Sequence, residues 1–158
     1  MSKESAGLLM FRIRAGEPEF LLVHPGGPFW QKKDRGAWTI PKGQILPGEE
    51  PFTAAKREFE EELGLKAEGH FLALQSVQQK GGKTVHAWAF QGDWDPSQIR
   101  SNTFELELPA GSGRMYKFPE VDRAEFFSFA TAREKINPAQ AALLEELKAK
   151  LSSTAGSP

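Results

Sequence analysis

The segment 51–63 (PFTAAKREFEEEL) constrains the fold most, because its apolar and acidic residues recur with helical spacing. Pro51 suits the first turn of a helix, and Gly64 suits the position just after the last turn. The spacing therefore predicts a helix over residues 51–63 that is buried along one side, through an apolar stripe of Phe52, Ala55, Phe59 and Leu63. The rest of the chain must provide a core against which this stripe packs.

Three carboxylates share one side of this predicted helix. At about 100° per residue, Glu58, Glu61 and Glu62 fall within an arc of roughly 100°, whereas Glu60 points nearly the opposite way. Like charges this close favour protonation unless a cation compensates them. The chain has no cysteine, so only oxygen or imidazole ligands are on offer, and Mg2+ or Mn2+ is the expected ion. The alternative interpretation is a solvated acidic surface.

Patterns elsewhere in the chain predict a mixture of strands and helices. The further predicted elements are strands at 6–14, 19–24, 70–79, 84–91 and 101–108 and a second helix at 138–151. The first two strands are expected to form a hairpin, and a long loop is expected over 25–37. Residues 118–129 combine a turn with a short apolar segment.

Composition and charge limit the class of partner. Lys and Arg total 20 against 21 Asp and Glu, so the net charge of -1 gives no general attraction to nucleic acid or anionic membranes. No apolar stretch approaches the length of a membrane span. We expect a soluble, cytoplasmic protein with no membrane contact and no obligate protein partner, formed by a single domain over 1–151 and a disordered tail over 152–158.

The segment around the acidic helix resembles the signature of the Nudix hydrolases. Five residues separate Gly43 from Glu49, and seven more separate Glu49 from the segment 57–65 (REFEEELGL). Together these residues fill every fixed position of that signature. The resemblance implies an α/β (α+β) Nudix fold, an α/β/α sandwich with a mixed central sheet. It also implies Mg2+- or Mn2+-dependent hydrolysis of a nucleoside diphosphate linked to a further group.

The resemblance also implies roles for individual residues. The implied metal ligands are Glu58, Glu61, Glu62 and the Gly43 carbonyl, one of the glutamates being a possible general base. Glu49, Arg57 and Gly64 are structural residues of the motif, and Arg57 is expected to pair with Glu61 or Glu49. Glu120 is a further candidate for a catalytic base or fourth ligand, in competition with Glu105 and Glu107.

Residues 38–43 (WTIPKG) indicate the class of substrate. They are similar to a segment of Nudix enzymes that act on dinucleoside polyphosphates, 5′-triphosphorylated RNA or diphosphoinositol polyphosphates. Lys42 is expected to bind phosphate, and Arg35, with Lys32 and Lys33, either extends a basic rim or is ordinary surface. Trp30 and Phe118 are the preferred candidates for stacking on a base, because they lie in turn-rich segments.

The leading hypothesis is a hydrolase of small-molecule dinucleoside polyphosphates such as Ap4A. The alternatives are an RNA 5′-pyrophosphohydrolase, which would make an RNA 5′ end the partner, a housekeeping nucleoside triphosphate pyrophosphatase, and a nucleotide-sensing domain without turnover. The sensing domain would be expected to have lost glutamates, and all three remain. Leu46 stands where these relatives commonly have an acidic residue, and Gly82 where dinucleoside polyphosphate hydrolases often have tyrosine.

Overall fold

The computed structural model describes residues 3–155. In chain order its strands and helices are β1 Glu4–Arg14, β2 Glu17–Pro25, β3 Lys42–Gln44, α1 Pro51–Leu63, β4 Phe71–Gln79, β5 Lys83–Gln91, β6 Thr103–Glu107, β7 Met115–Pro119, β8 Val121–Ser128, α2 Phe129–Lys135 and α3 Ala141–Ala155. Among the described residues, no helix has both the length and the apolar character needed to cross a membrane.

Strand β1 lies at the centre of a six-stranded sheet. The strand order is β4-β5-β1-β2-β8, and the short strand β3 also pairs with β1. Strand β1 runs parallel to β5 and antiparallel to β2 and β3, so the sheet is mixed. Strands β6 and β7 form a separate two-stranded sheet. The mixed sheet confirms the predicted α/β (α+β) fold class.

Helices cover both faces of the mixed sheet. Because side chains alternate along β1, Leu8 and Met10 face α1, whereas Leu9 and Phe11 face α3. Helix α1 buries Ala54, Ala55, Phe59 and Leu63 against the first face. Helix α3 buries Leu143, Leu144 and Leu147 against the second. This layering confirms the α/β/α sandwich that the resemblance to the Nudix hydrolases implied.

The structure differs from the sequence prediction mainly in its later half. Helix α1 begins and ends where predicted, but β3, β7, β8 and α2 were not predicted as separate elements. Strand β8 depends on pairing with β2, and α2 has only 7 residues, too few to show a helical period. Residues 152–155 continue α3, where a disordered tail was predicted, and 156–158 lie outside the described residues.

A buried glutamine joins the helical layer to the sheet. Gln140 is fully buried; its Oε1 accepts from the Ile40 amide at 3.0 Å and its Nε2 donates to Gln79 Oε1 at 3.1 Å. Gln140→Leu leaves the buried Ile40 amide without an acceptor, so we expect it to lower the free energy of unfolding by roughly 1–3 kcal/mol. Chemical denaturation would measure this, and a stability equal to that of the unmodified protein would contradict it.

Candidate active site

Helix α1 is fixed at both ends by its own sequence. Pro51 occupies the first turn, and Gly64 ends the helix in the left-handed conformation with φ 76°, donating its amide to Glu60 O at 2.7 Å. Strand β3 pairs with β1 through Ala6–Gly43 and Gly7–Lys42. The loop from β3 to α1 therefore leaves the sheet directly beside the acidic side of the helix.

Gly43 lies directly against the carboxyl group of Glu58. A Cβ atom at position 43 would overlap that carboxyl group, and Gly43 does not have a positive φ that would itself demand glycine. Only glycine therefore leaves room for the Glu58 carboxyl group here. The Glu58 side chain is 12% exposed, so the backbone of Gly43 forms one wall of a partly desolvated carboxylate site.

Arg57 ties the loop to the helix. Its Nε and Nη2 donate to the two oxygens of Glu49 at 2.8 and 3.0 Å, and Nη2 also donates to Gln44 O at 3.0 Å. Its Nη1 donates to Glu58 at 2.8 Å and to Glu61 at 3.1 Å. The Glu49 bonds, and then those to Glu58, raise the pKa of Arg57, while Arg57 lowers the pKa of Glu49. Arg57 thus pairs with both residues that the sequence suggested.

The side chain at Leu46 takes no part in holding this loop. It is 51% exposed, while its backbone amide donates to Glu49 Oε1 at 3.0 Å and its carbonyl accepts from the Glu49 amide at 3.0 Å. Glu49 therefore organises the loop through main-chain bonds that any side chain at position 46 would allow.

Glu62 is the most buried carboxyl group of the site. It is 7% exposed, and its Oε1 accepts from the Lys42 amide at 3.1 Å. Burial raises the pKa of Glu62 to about 8, and the charge of Glu58 adds to the rise. Burial likewise lowers the pKa of Lys42, and the charge of Lys83 acts in the same direction. Acid and base thus lie close together in a poorly hydrated site.

Lys83 is a site residue that the sequence did not single out. It begins β5, and β1 separates β5 from the strand that carries Lys42. Residues 42 and 83 are far apart in the chain, and these two pairings bring them close enough for the charge of Lys83 to lower the pKa of Lys42. The sole local signal was a positive charge at the start of a predicted strand.

Glu120 connects β7 to β8 on the acidic side of the site. Partial desolvation and the charge of Glu61 raise the pKa of Glu120, which places its carboxylate in the electrostatic field of the helix glutamates. Of its competitors, Glu107 is engaged elsewhere, since its two oxygens accept from the Gly111 and Gly113 amides at 2.6 and 3.1 Å. Glu105 lies across from Lys117 on the neighbouring strand.

Arg35 lies apart from the acidic helix. It lines a cavity of about 820 Å3 with Phe129, Arg133 and Pro138, on the face of the sheet that α3 covers, whereas α1 covers the other face. The structure therefore does not bring Arg35 together with the glutamates, and the prediction that Arg35 extends a basic rim at this site is wrong.

The aromatic and histidine side chains divide into core and surface. Trp38 is buried, with its Nε1 bonded to Asp34 at 2.8 Å. His24 is also fully buried; its ring nitrogens bond to Asp122 at 2.8 Å and to the Lys33 carbonyl at 2.6 Å, a structural role. Trp30 is 38% exposed, and Phe118 is half-buried beside Phe104.

Comparison with known proteins assigns the family. The family model of the NUDIX domain matches residues 1–147. This chain belongs to the Nudix family. A bis(5′-nucleosyl)-tetraphosphatase (asymmetrical) of Caenorhabditis elegans is 40% identical over 68 residues, 43% of this chain and 45% of that protein. The protein of the same name from Rattus norvegicus is 28% identical over 136 residues, 78% of this chain and 83% of that protein.

Solved structures share the Nudix fold. The C. elegans Ap4A hydrolase in a binary complex has a TM-score of 0.68 at 24% identity, with 96% of this chain and 98% of that chain covered. The NUDIX domain of Shewanella oneidensis NrtR, complexed with ADP ribose, has a TM-score of 0.65 at 12% identity, with 96% and 89% covered. At these identities the likeness concerns the fold alone, and it confirms the predicted Nudix architecture.

The donor set of this Nudix site fits a divalent cation. Glu58, Glu61, Glu62 and the Gly43 carbonyl offer oxygen ligands, which hard cations prefer. Within residues 3–155 no three acidic, histidine or cysteine side chains already converge on one point. Glu58 and Glu61 instead share Arg57 Nη1, and Glu62 bonds to the Lys42 amide. Family membership indicates dependence on a divalent metal. Each of these carboxylates uses one oxygen in the bonds just described, and the other oxygen can face a cation.

Arg57→Lys is expected to weaken Mn2+ binding roughly 10- to 100-fold, measured by calorimetry. A lysine ammonium cannot hold Glu49 with two parallel bonds while also bonding to Glu58 and Glu61. The matched control is Arg12→Lys. Arg12 bonds to Glu19 at 2.8 Å and to Asp93 at 3.0 Å and makes no bond to the glutamates of α1 within the described residues. Equal Mn2+ affinities for the two variants would contradict this role of Arg57.

Proposed function

We propose that this chain hydrolyses a phosphoanhydride bond in a dinucleoside polyphosphate, with Ap4A as the representative substrate. The observation that carries the proposal is the contact of Gly43 with the Glu58 carboxyl group, which joins the WTIPKG segment and its Lys42 to the acidic helix. The names of the C. elegans and rat relatives, which both describe cleavage of a dinucleoside tetraphosphate, add support.

Mg2+ or Mn2+ is the ion we propose for this site. Glu58, Glu61, Glu62 and the Gly43 carbonyl would hold it, because carboxylate and carbonyl oxygens suit both ions. When bound, such an ion neutralises charge on the substrate phosphates and lowers the pKa of a coordinated water molecule.

The chain's own residues would bind the phosphates and accept a proton. Lys42 lies in the field of Glu62 and Glu58, and Lys83 is close enough to Lys42 for its charge to lower the pKa of Lys42. Two ammonium groups would complement a chain of several phosphates better than a single phosphate. Glu120, placed in the field of Glu61, is the proposed base for the proton of the attacking water. In-line attack then displaces the remaining phosphate chain as the leaving group.

Recognition of the nucleoside is the second part of the proposal. Trp30 and Phe118 are proposed to take part, because Phe118 lies on β7 and Trp30 lies in the loop whose Gly26 donates to Glu120 O. Arg35 is not included among the proposed nucleoside-binding residues, because Arg35 lies beside α2.

A substrate panel tests the proposal. Purified protein with Mg2+ or Mn2+ is incubated with diadenosine tetraphosphate, 5′-triphosphorylated RNA, ADP-ribose and oxidised nucleoside triphosphates, and the products are identified by chromatography. We expect the highest kcat/KM for diadenosine tetraphosphate, with Glu61→Gln as the inactive control. If pyrophosphate is released with a higher kcat/KM from the RNA or from the nucleoside triphosphates, the preferred substrate is that RNA or that nucleotide, and the proposed substrate is wrong. Tight binding without any turnover would instead identify a nucleotide sensor.

A further inference from the structure

The β6–β7 hairpin is attached directly to the acidic helix. The Asn102 amide, just before β6, donates to Glu61 O at 2.9 Å, and the Glu120 amide, just after β7, donates to Asn102 O at 2.8 Å. Both ends of the hairpin are therefore fixed at Glu61. The base of the hairpin therefore lies next to the acidic helix, and its strands extend away from it.

One face of this hairpin is apolar and outside the main sheet. The register pairs Phe104 with Phe118 and Leu106 with Tyr116, so these four side chains share a face. The rings of Phe104 and Phe118 lie 5.9 Å apart, and Tyr116, farther from the helix, is 46% exposed. The tip is ordered, because Glu107 accepts from two amides of the turn. The result is a stable aromatic strip whose outer end is open.

The loop after β2, which carries Trp30, packs against the hairpin. Gly26 donates its amide to Glu120 O at 2.9 Å, and a Cβ at Gly27 would lie 2.9 Å from the Phe104 ring, so the loop packs closely against the hairpin. Trp30 follows within one turn, its amide 3.3 Å from Gly27 O. The Lys33 ammonium lies 5.0 Å from the ring centroid of Trp30, which is 38% exposed, so one face of the ring carries a positive charge.

We propose that this surface, formed by Trp30, Lys33 and Tyr116 over the Phe104–Phe118 pair, binds the second nucleoside of a dinucleoside polyphosphate. This proposal rests on the proposed function, since the second nucleoside is the group that distinguishes a dinucleoside polyphosphate from a mononucleotide. Base stacking on aromatic side chains needs no particular base, and the charge of Lys33 complements the anionic chain that leads to the second base. Tyr116 lies four residues from Glu120, about 13 Å along an extended strand. The second nucleoside can therefore lie on the strip while the phosphates lie at the glutamates.

The test compares two substrates that differ only in the second adenosine, diadenosine tetraphosphate and adenosine 5′-tetraphosphate. Trp30→Ala and Tyr116→Ala are each expected to lower kcat/KM for the dinucleoside roughly tenfold more than for the mononucleoside. Met115→Ala is the matched control, because Met115 is adjacent to Tyr116, 53% exposed and on the opposite face of β7. It should leave the ratio of the two kcat/KM values unchanged. Melting temperatures confirm that each variant is folded.

The outcomes separate this inference from the proposed function. If the unmodified protein cleaves both substrates and neither variant changes the ratio, or Met115→Ala changes it equally, the second-nucleoside surface is wrong while the proposed function stands. If the unmodified protein cleaves neither substrate, both are wrong. Calorimetry with the Glu61→Gln background gives an independent readout. We expect the second adenosine to increase affinity there, and Trp30→Ala to abolish that increase.

Discussion

Glu62→Gln is expected to lower kcat for the preferred substrate about a thousandfold, corresponding to about 4 kcal/mol of transition-state stabilisation. The glutamine side chain has nearly the same shape and retains an oxygen that can accept from the Lys42 amide, so the fold is preserved. It lacks the negative charge that a divalent cation requires. Steady-state kinetics at saturating Mg2+ would measure the loss.

The same substitution is expected to stabilise the metal-free protein at alkaline pH. The pKa of Glu62 is about 8 in the folded protein, against an ordinary value of 4.5. The unfolded chain therefore releases this proton first, and the contribution of Glu62 to stability, complete below pH 4.5, is lost as the pH rises to about 8. Each pH unit in that window costs about 1.4 kcal/mol of the free energy of unfolding, or roughly 3–6 °C in melting temperature. Saturating Mg2+ should reverse the loss in the unmodified protein.

Glu60→Gln is the matched control for both effects. Glu60 lies on the same helix but is exposed and points away from the other glutamates. It should change neither kcat nor the pH dependence of the melting temperature. If Glu62→Gln retained full activity, or showed the same decline in melting temperature with pH as the unmodified protein, its assignment as a buried metal ligand would be wrong.

Gly43→Ala is expected to remove activity with little loss of stability. The added Cβ would overlap the Glu58 carboxyl group, and the free end of that side chain can rotate away at small cost. Because the backbone at Gly43 does not have a positive φ, alanine introduces no other strain. We expect roughly 10- to 100-fold weaker Mn2+ binding and a melting temperature within about 2 °C of the unmodified protein.

Gly48→Ala provides the opposite pattern. Gly48 has φ 76°, and a Cβ atom added there would meet nothing within 4 Å, so alanine strains the backbone but contacts no side chain. It should lower the free energy of unfolding by about 1 kcal/mol and leave the affinity for Mn2+ unchanged.

The double variant Gly43→Ala with Glu58→Ala should bind Mn2+ no more weakly than Glu58→Ala alone, since both changes remove the same ligand. Fully additive losses would show that Gly43 acts through some other group.

Sequence periodicity predicted the elements whose stability is local. Helix α1 has its own start, stop and apolar stripe, so its bounds agree with the prediction at both ends. Strand β8 is not stabilised locally, because its alternating residues acquire a buried face only by pairing with β2, roughly 100 residues earlier. Helix α2 is stabilised by packing against β2, β8 and α3. A segment of seven residues is too short for its sequence pattern to predict a helix that depends on such packing.

The candidate site divides in the same way. The arc of Glu58, Glu61 and Glu62 follows from helical geometry, and the family signature added Gly43, Glu49 and Arg57. The pairing of Arg57 with Glu49 is likewise expected from a loop of only six residues between β3 and α1. The predicted roles of these residues in metal binding and catalysis stay predictions that the variants above examine.

The sequence by itself determined the acidic helix, the shared side of its three carboxylates and, with Pro51 and Gly64, its ends. These features depend on residues within one or two turns of each other. The tertiary structure alone decided that Lys83 joins Lys42, that Arg35 faces α2, and that the β6–β7 hairpin is anchored at Glu61. Each of these depends on hydrogen bonds or strand pairing between segments distant in the chain. Such long-range contacts form only when the whole domain folds, and no local pattern encodes them.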